Sequence, residues 1–311
     1  MPGILAATWS DGVFVFEGDA RRQELAGKSV RDLAPDQRGS VLAIVDRYAL
    51  CLRTREGVWS TLATSQVALA SVIVVGEAIY LGTDDARVLC VDQHGQIDPL
   101  NGFGTIAGRD SWYAGSAVIT GQRGGPPLGV RSMTATADGS VLLVNVHVGG
   151  IPRSTDGGVT WHPTIDVRSD VHEVCAHPLD PHMVIAAAAI GLCISRDGGA
   201  SWIVENEGLH SPYCSAVAFS QGDIFVAAST DHFADHGAVY RRPIDGTGPL
   251  QPVRSLPRWL GGIVDTGCIA TRGRAVAIAD KAGNLYASAD AEHAWLHRDD
   301  CLPMVSKVLL I

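Results

Sequence analysis

A chain of 311 residues, 46% hydrophobic and 18% charged, has enough apolar material for a large core and too little charge to stay disordered. Its net charge of −9 comes without a basic stripe, which excludes the clustered positive charge nucleic acid requires. The longest apolar runs, Val141 to Val148 and Met183 to Ile190, fall far short of the ~20 residues of a membrane helix, so neither nucleic acid nor membrane is an expected partner.

The first residues, Met1 to Ala6, carry no basic region and no long apolar segment, so a cytoplasmic protein is expected. They run directly into two strand patterns, Ile4 to Trp9 and Gly12 to Phe16. Arg21 to Ala26 is the best helical candidate, short and stopped by Gly27. From there on, helical periodicity is scarce. Apolar first strands recur near Val30, Val67, Val130, Val171, Cys214, Thr266 and Val305. Each but the last is followed by a second strand: Val41 to Val45, Ala78 to Gly82, Val141 to His147, Met183 to Ala189, Asp223 to Ser229, and Ala275 to Ala279. The fold class is all-β. Seven cysteines are scattered through the apolar stretches with no Cys-x-x-Cys pair, and are expected to be reduced core fillers.

Two segments are near copies: Ser154-Thr155-Asp156-Gly157-Gly158-Val159-Thr160-Trp161 and Ser195-Arg196-Asp197-Gly198-Gly199-Ala200-Ser201-Trp202, 41 residues apart. Asp-Gly at a hairpin tip supplies the positive φ of a tight turn, and the Asp and Ser side chains can bond the turn's own amides. The Trp drops a large apolar surface between sheets. Thr54 to Trp59 and Ser288 to Trp295 are weaker relics.

The pattern resembles the Asp-box, or BNR, motif Ser-x-Asp-x-Gly-x-x-Trp of sialidases, sortilin-type receptors and uncharacterised bacterial propellers. The resemblance implies a β-propeller, with Ser154, Asp156, Gly158, Trp161, Ser195, Asp197, Gly199 and Trp202 on peripheral turns between third and fourth strands of a blade. These residues would be structural. Counting strands in that register gives seven blades in one domain, residues 1–311; six or eight remain alternatives because Val67 to Leu100 has weak turn signals. The chain ends on a first strand and begins on a second, so the C-terminal strand should pair with Ile4 to Trp9 and close the ring.

In a propeller the first strands start, and the second strands end, on one face. That rim collects Arg31, Asp46, Arg131, His147, Asp170, His172, Tyr213 and Asp265. Two imidazoles, His147 and His172, suit acid/base work or metal binding; with Tyr213 and Asp265 they form the candidate catalytic set. Arg131, Arg31, Asp170, Asp46 and Trp112 are candidate ligand contacts. Glu173 must point to the other side of its strand from His172. The Gly-rich insertion at 102–129 is expected to cover the mouth, beside extensions at Thr230 to Gly237 and Pro252 to Gly262. No cofactor is implied, and a divalent metal stays open at His147, His172, His232 or His236.

Three functions fit this pattern. The first is a hydrolase or lyase acting on a small polar or carbohydrate-like molecule. The second is a scaffold for a protein partner, similar to photosystem assembly-factor propellers, and the third a lectin-like saccharide binder. A standard sialidase does not fit, since the chain lacks the Arg-Ile-Pro motif and its Arg triad.

Overall fold

The computed structural model describes the chain except residues 37, 114–117, 120–121, 124–127 and 292–293; for 118–119 and 122–123 it describes the backbone alone. Seven small antiparallel sheets form a ring, a seven-bladed β-propeller. In chain order the innermost strands are Val30–Pro35, Leu69–Val75, Val130–Ala135, Val171–Ala176, Tyr213–Ser220, Ile269–Arg272 and Val305–Leu310. The first six each lead outward through three further strands of their own sheet; in the fifth, Leu260–Gly261 adds a short fifth strand on His236–Pro243.

The seventh blade is shared between the chain ends. Val305–Leu310 pairs with Ile4–Thr8, with Ile4 opposite Leu310 and Ala6 opposite Val308, and Val13–Glu17 and Ala20–Glu24 complete it. Gly3 and Ile311 exchange backbone bonds at 3.1 and 2.9 Å. Both exposed edges are thereby removed, as expected. The helix expected over Arg21 to Ala26 is instead this outermost strand. Its side chains are exposed, and antiparallel pairing with Val13–Glu17 satisfies a backbone that so short a helix could not.

Second strands such as Val41–Val45, Leu142–Val146 and Val184–Ala188 are buried on both faces, because each sheet is sandwiched between two neighbours. The core is accordingly divided among the gaps between blades. One cluster joins Leu5 and Val15 to Leu33 and Val41; another joins Leu143 and Ile151 to Val174 and Val184. Four of the seven cysteines are buried in this core, and all are free thiols.

Both Ser-x-Asp-x-Gly turns lie between third and fourth strands and are built alike. Ser154 Oγ accepts from Gly158 N at 2.9 Å, and Asp156 Oδ1 accepts from Thr160 N at 2.9 Å. Ser195 and Asp197 repeat these bonds to Gly199 and Ser201 at 2.8 and 2.9 Å. Gly158 and Gly199 sit at φ +91° and +80°, where a Cβ would also strike Leu100 and Leu143 at 2.6 Å. The relic Thr54 to Trp59 occupies the same place in its blade, and the second relic begins at Ser288, the end of a third strand. Among the described residues, no helix is long and apolar enough to cross a membrane.

Candidate functional site

Six blades carry a register shift near the start of the innermost strand: between Val30 and Leu33, Leu69 and Ser71, Val130 and Ser132, Val171 and Glu173, Cys214 and Ala216, and beside Ser306 in the closing pair. A bulge inserts an unpaired residue and re-aims its side chain. Arg31, Ala70, Arg131 and Ser306 are so turned towards the axis, where they line one cavity of about 510 Å³. At or just beyond these bulges polar side chains tie one blade to the next. Asp32 accepts from Val72 N at 2.8 Å, Ser71 donates to Val130 O at 2.9 Å, and Ser132 accepts from Val174 N at 3.0 Å. Ser215 donates to Val264 O at 2.6 Å, and Ser306 to Val30 O.

One wall of the cavity is His147, Asp170 and Tyr213, with His172 directly behind. Asp170 holds the left-handed φ of +48°, as does Val148 beside His147, a conformation that costs a branched residue strain. His147 Nε2 stands 3.2 Å and His172 Nε2 3.8 Å from Asp170 Oδ1, and the two rings are 6.0 Å apart. The other nitrogen of His172, Nδ1, lies 2.6 Å from the carbonyl of Cys214. A carbonyl only accepts, so Nδ1 carries the proton.

Burial pushes the His147 imidazole below its ordinary pKa, against the pull of Asp170. Burial alone would raise Asp170, but the His147 imidazole 3.2 Å away outweighs it and holds the carboxyl well below the usual carboxylate range. Burial also drives the Tyr213 phenol up, so it stays protonated at neutral pH; its ring lies 4.7 Å from that of His172.

Elsewhere the cavity is a set of ion pairs. Arg31 Nη1 reaches both oxygens of Asp84 at 2.7 Å, with its guanidinium 5.1 Å over Trp9. Arg131 meets Asp265 at 3.4 Å, and Lys307 meets Asp32 at 3.4 Å. Behind Lys307 the fully buried Glu173 accepts from Val217 N and Gly267 N, on the opposite side of its strand from His172 as expected. Burial pushes the Glu173 carboxyl up to about 7, outweighing the attraction of Lys307.

The topology thus brings His147, Asp170, Tyr213, Arg31, Arg131, Asp265 and His232 to one cavity, with His172 behind its wall. Three expectations are corrected. Asp46 stands outside, exposed in the turn after Val41–Val45 and paired with Lys28 at 2.7 Å; its left-handed backbone turns it away from the axis. Trp112 is buried against Phe103, whose ring also meets Trp161, so it fills the side of the third blade. His236 opens a third strand opposite Gly261, near Trp259, and reaches no part of the cavity.

The loops divide in the same way. Asp231, His232 and Phe233 reach the mouth, whereas Trp259 packs against His210 at 5.0 Å. Of the 102–129 insertion, the segment to Trp112 packs beside the Asp156 turn and Gly129 reaches the cavity; the central part of the expected lid lies outside the described residues. Trp9, Lys307 and Phe233 were missed from sequence. Trp9 could have been found, because it leaves a second strand of the closing blade and so obeys the same rim rule.

No family model and no curated protein matches this chain. Solved propellers do. A candidate 6-phosphogluconolactonase from Bacteroides uniformis aligns over 100% of this chain and 99% of its own, with TM-score 0.69 and 14% identity. A GH74 enzyme from Niastella koreensis aligns over 94% of this chain with TM-score 0.62 and 13% identity; the match spans only 46% of that enzyme. YCF48 bound to a D1 peptide aligns over 89% of this chain and 85% of its own, with TM-score 0.60 and 10% identity. At such identities the likeness establishes the propeller fold alone.

Proposed function

We propose that the mouth binds one small, neutral, hydroxyl-rich molecule of carbohydrate type, and that a hydrolase or lyase reaction takes place at its His147–Asp170 end. The observation that carries this reading is the cavity itself, about 510 Å³, with the bulge residues Arg31, Arg131 and Ser306 and the polar side chains of His147, Asp170, Tyr213 and Asp265 lining it. That volume is within the ordinary range for small-ligand sites.

Its chemistry favours a neutral ligand over an acid or a phosphate. Arg31, Arg131 and Lys307 each already face a carboxylate. The lining sets those three cations against Asp32, Asp84, Asp170, Asp231 and Asp265, a formal excess of two negative charges. Paired carboxylates and guanidinium groups suit hydroxyls, and Trp9, Tyr213 and Phe233 offer faces for a sugar ring.

Calorimetric titration of the full chain with neutral mono- and disaccharides, and with a matched sugar phosphate, tests the reading. A neutral sugar should bind saturably, the phosphate should bind more weakly, and Trp9→Ala should weaken the sugar at least about tenfold. Absence of saccharide binding, or affinity indifferent to Trp9→Ala, overturns it and leaves the propeller as a scaffold for a protein partner.

A further inference from the structure

We propose that His147, Asp170 and His172 hold a divalent transition-metal ion of the zinc class, bound through two imidazole Nε2 atoms and one carboxylate oxygen. The three ligand atoms lie within 4.8 Å of one another. The two imidazole–carboxylate separations, 3.2 and 3.8 Å, bracket the ~3.4 Å edge of a tetrahedron whose ligands stand ~2.05 Å from the metal.

The decisive feature is His172. Its Nδ1–H donates to the Cys214 carbonyl, so Nε2 is the nitrogen left to face Asp170, and in the neutral tautomer it carries a bare lone pair. That lone pair faces Asp170 Oδ1, itself only an acceptor. Both atoms are buried, His172 being 2% exposed, and neither has a hydrogen-bond partner among the described residues. Two acceptors held face to face repel unless a cation lies between them. A metal ion satisfies both.

Three further observations agree. Metal-bound imidazoles ordinarily donate their other N–H to a backbone carbonyl, as His172 does to Cys214. The formal excess of two negative charges around the cavity equals the charge of one divalent ion. Strained left-handed backbone at Asp170 and Val148 fixes the carboxylate and neighbours the His147 imidazole, and such strain gathers at ligand sites. Two imidazoles select against calcium and magnesium, which prefer oxygen. His147 and Asp170 line the open cavity, so positions on the ion facing the mouth stay free for water or a hydroxyl of the ligand. This inference deepens the reading above by giving its reactive end a metal, and it is tested with metal alone so that the two can fail separately.

The full chain, treated with chelator and dialysed, is titrated with Co²⁺ while visible absorption is recorded, and Zn²⁺ is then added. One cobalt per chain with four- or five-coordinate bands, displaced by zinc, is expected. Asp170→Asn and His147→Gln should each weaken cobalt by about 100-fold or more, beyond the 10–100-fold of a lost outer-shell partner. Melting of the metal-free variants shows which remain folded, and either folded variant decides the matter. The group Asp299, Asp300 and Cys301, of which the last two are exposed, is the rival location, and Cys301→Ser should change nothing. The proposal is overturned if wild type shows no cobalt bands, if folded Asp170→Asn or His147→Gln binds as wild type does, or if Cys301→Ser abolishes the bands.

Discussion

Arg131 and Asp265, 134 positions apart in the chain, meet at 3.4 Å across the mouth of the ring. Arg131 sits at the bulge of the third blade and Asp265 just ahead of the sixth, so the pair spans the axis and forms no part of any one sheet. Both side chains remain partly open to water, at 25% and 37% exposure, where ion pairs contribute little to stability.

The pair should therefore matter more to a ligand than to the fold. Asp265→Asn is expected to leave the melting temperature nearly unchanged. Saccharide affinity, measured by calorimetry on the same preparation, should fall at least about tenfold, as for a charged ligand contact. A large loss of stability with unchanged affinity would make the pair a structural clasp.

Ring closure predicts a different pattern. Deleting residues 304–311 removes the innermost strand of the seventh blade, its bonds to Ile4–Thr8, and the packing of Val305, Val308 and Leu310 in the core. Domains of this kind are stable by only about 5–15 kcal/mol. The loss should consume most of that, so the truncated chain should show no cooperative melting near the wild-type temperature in calorimetry. A sharp transition within a degree or two of wild type would show that the seventh blade contributes little.

The blades were legible because propeller sheets are locally encoded. Asp-Gly turns, short apolar runs and a chain that begins on a second strand mark them one after another. The placement of the two histidines on one face was legible for the same reason, since topology alone sends His147 and His172 to one end, where their rings lie 6.0 Å apart. Side-chain direction was not legible. Nothing in Asp46-Arg47 announces that both residues are left-handed and that Asp46 turns out to Lys28. Trp112 resembled a rim aromatic, but a Gly-rich insertion can as readily pack down the side of a blade, and Phe103 with Trp161 supplied the apolar surface. The bulges that aim Arg31 and Arg131 inward depend on register between strands, a quantity that single-strand patterns do not contain.

The two Ser-x-Asp-x-Gly turns should give the protein an acid limb. Bonds from the Thr160 hydroxyl and amide bring Asp156 down to about 2; at Asp197 burial is the largest single effect and opposes, but the bonds from Ser201, Ser195 and Ala200 together outweigh it, again to about 2. A folded-state value below the unfolded 3.8 means the folded chain releases the proton more readily. The associated stability is fully present above about pH 4 and is lost as the pH falls towards 2. Melting temperature followed over that range should drop less steeply in the Asp156→Asn, Asp197→Asn double variant, which should also melt lower at neutral pH while keeping its ligand affinity. An unchanged acid limb would mean that other carboxylates govern acid unfolding.

The polar girdle at the bulges should be the most stability-sensitive polar feature near the axis. Ser132 Oγ is the acceptor for the buried Val174 amide, and Ser215 Oγ donates to the Val264 carbonyl; the two serines are 7% and 3% exposed. Alanine at either position removes one partner and leaves a buried backbone group unpaired, which costs about 1–3 kcal/mol. Chemical denaturation of Ser132→Ala and Ser215→Ala should show losses of that size with an unchanged denaturant dependence, since the surface exposed on unfolding is the same. The serines share no bonding partner and tie different pairs of blades, so the double variant should lose close to the sum of the two. Cysteine at the same sites, close in size but a weak bonding group, should recover the packing and not the stability. Full recovery by cysteine would show that the girdle acts by filling space, and that the blades are held in register by their apolar gaps alone.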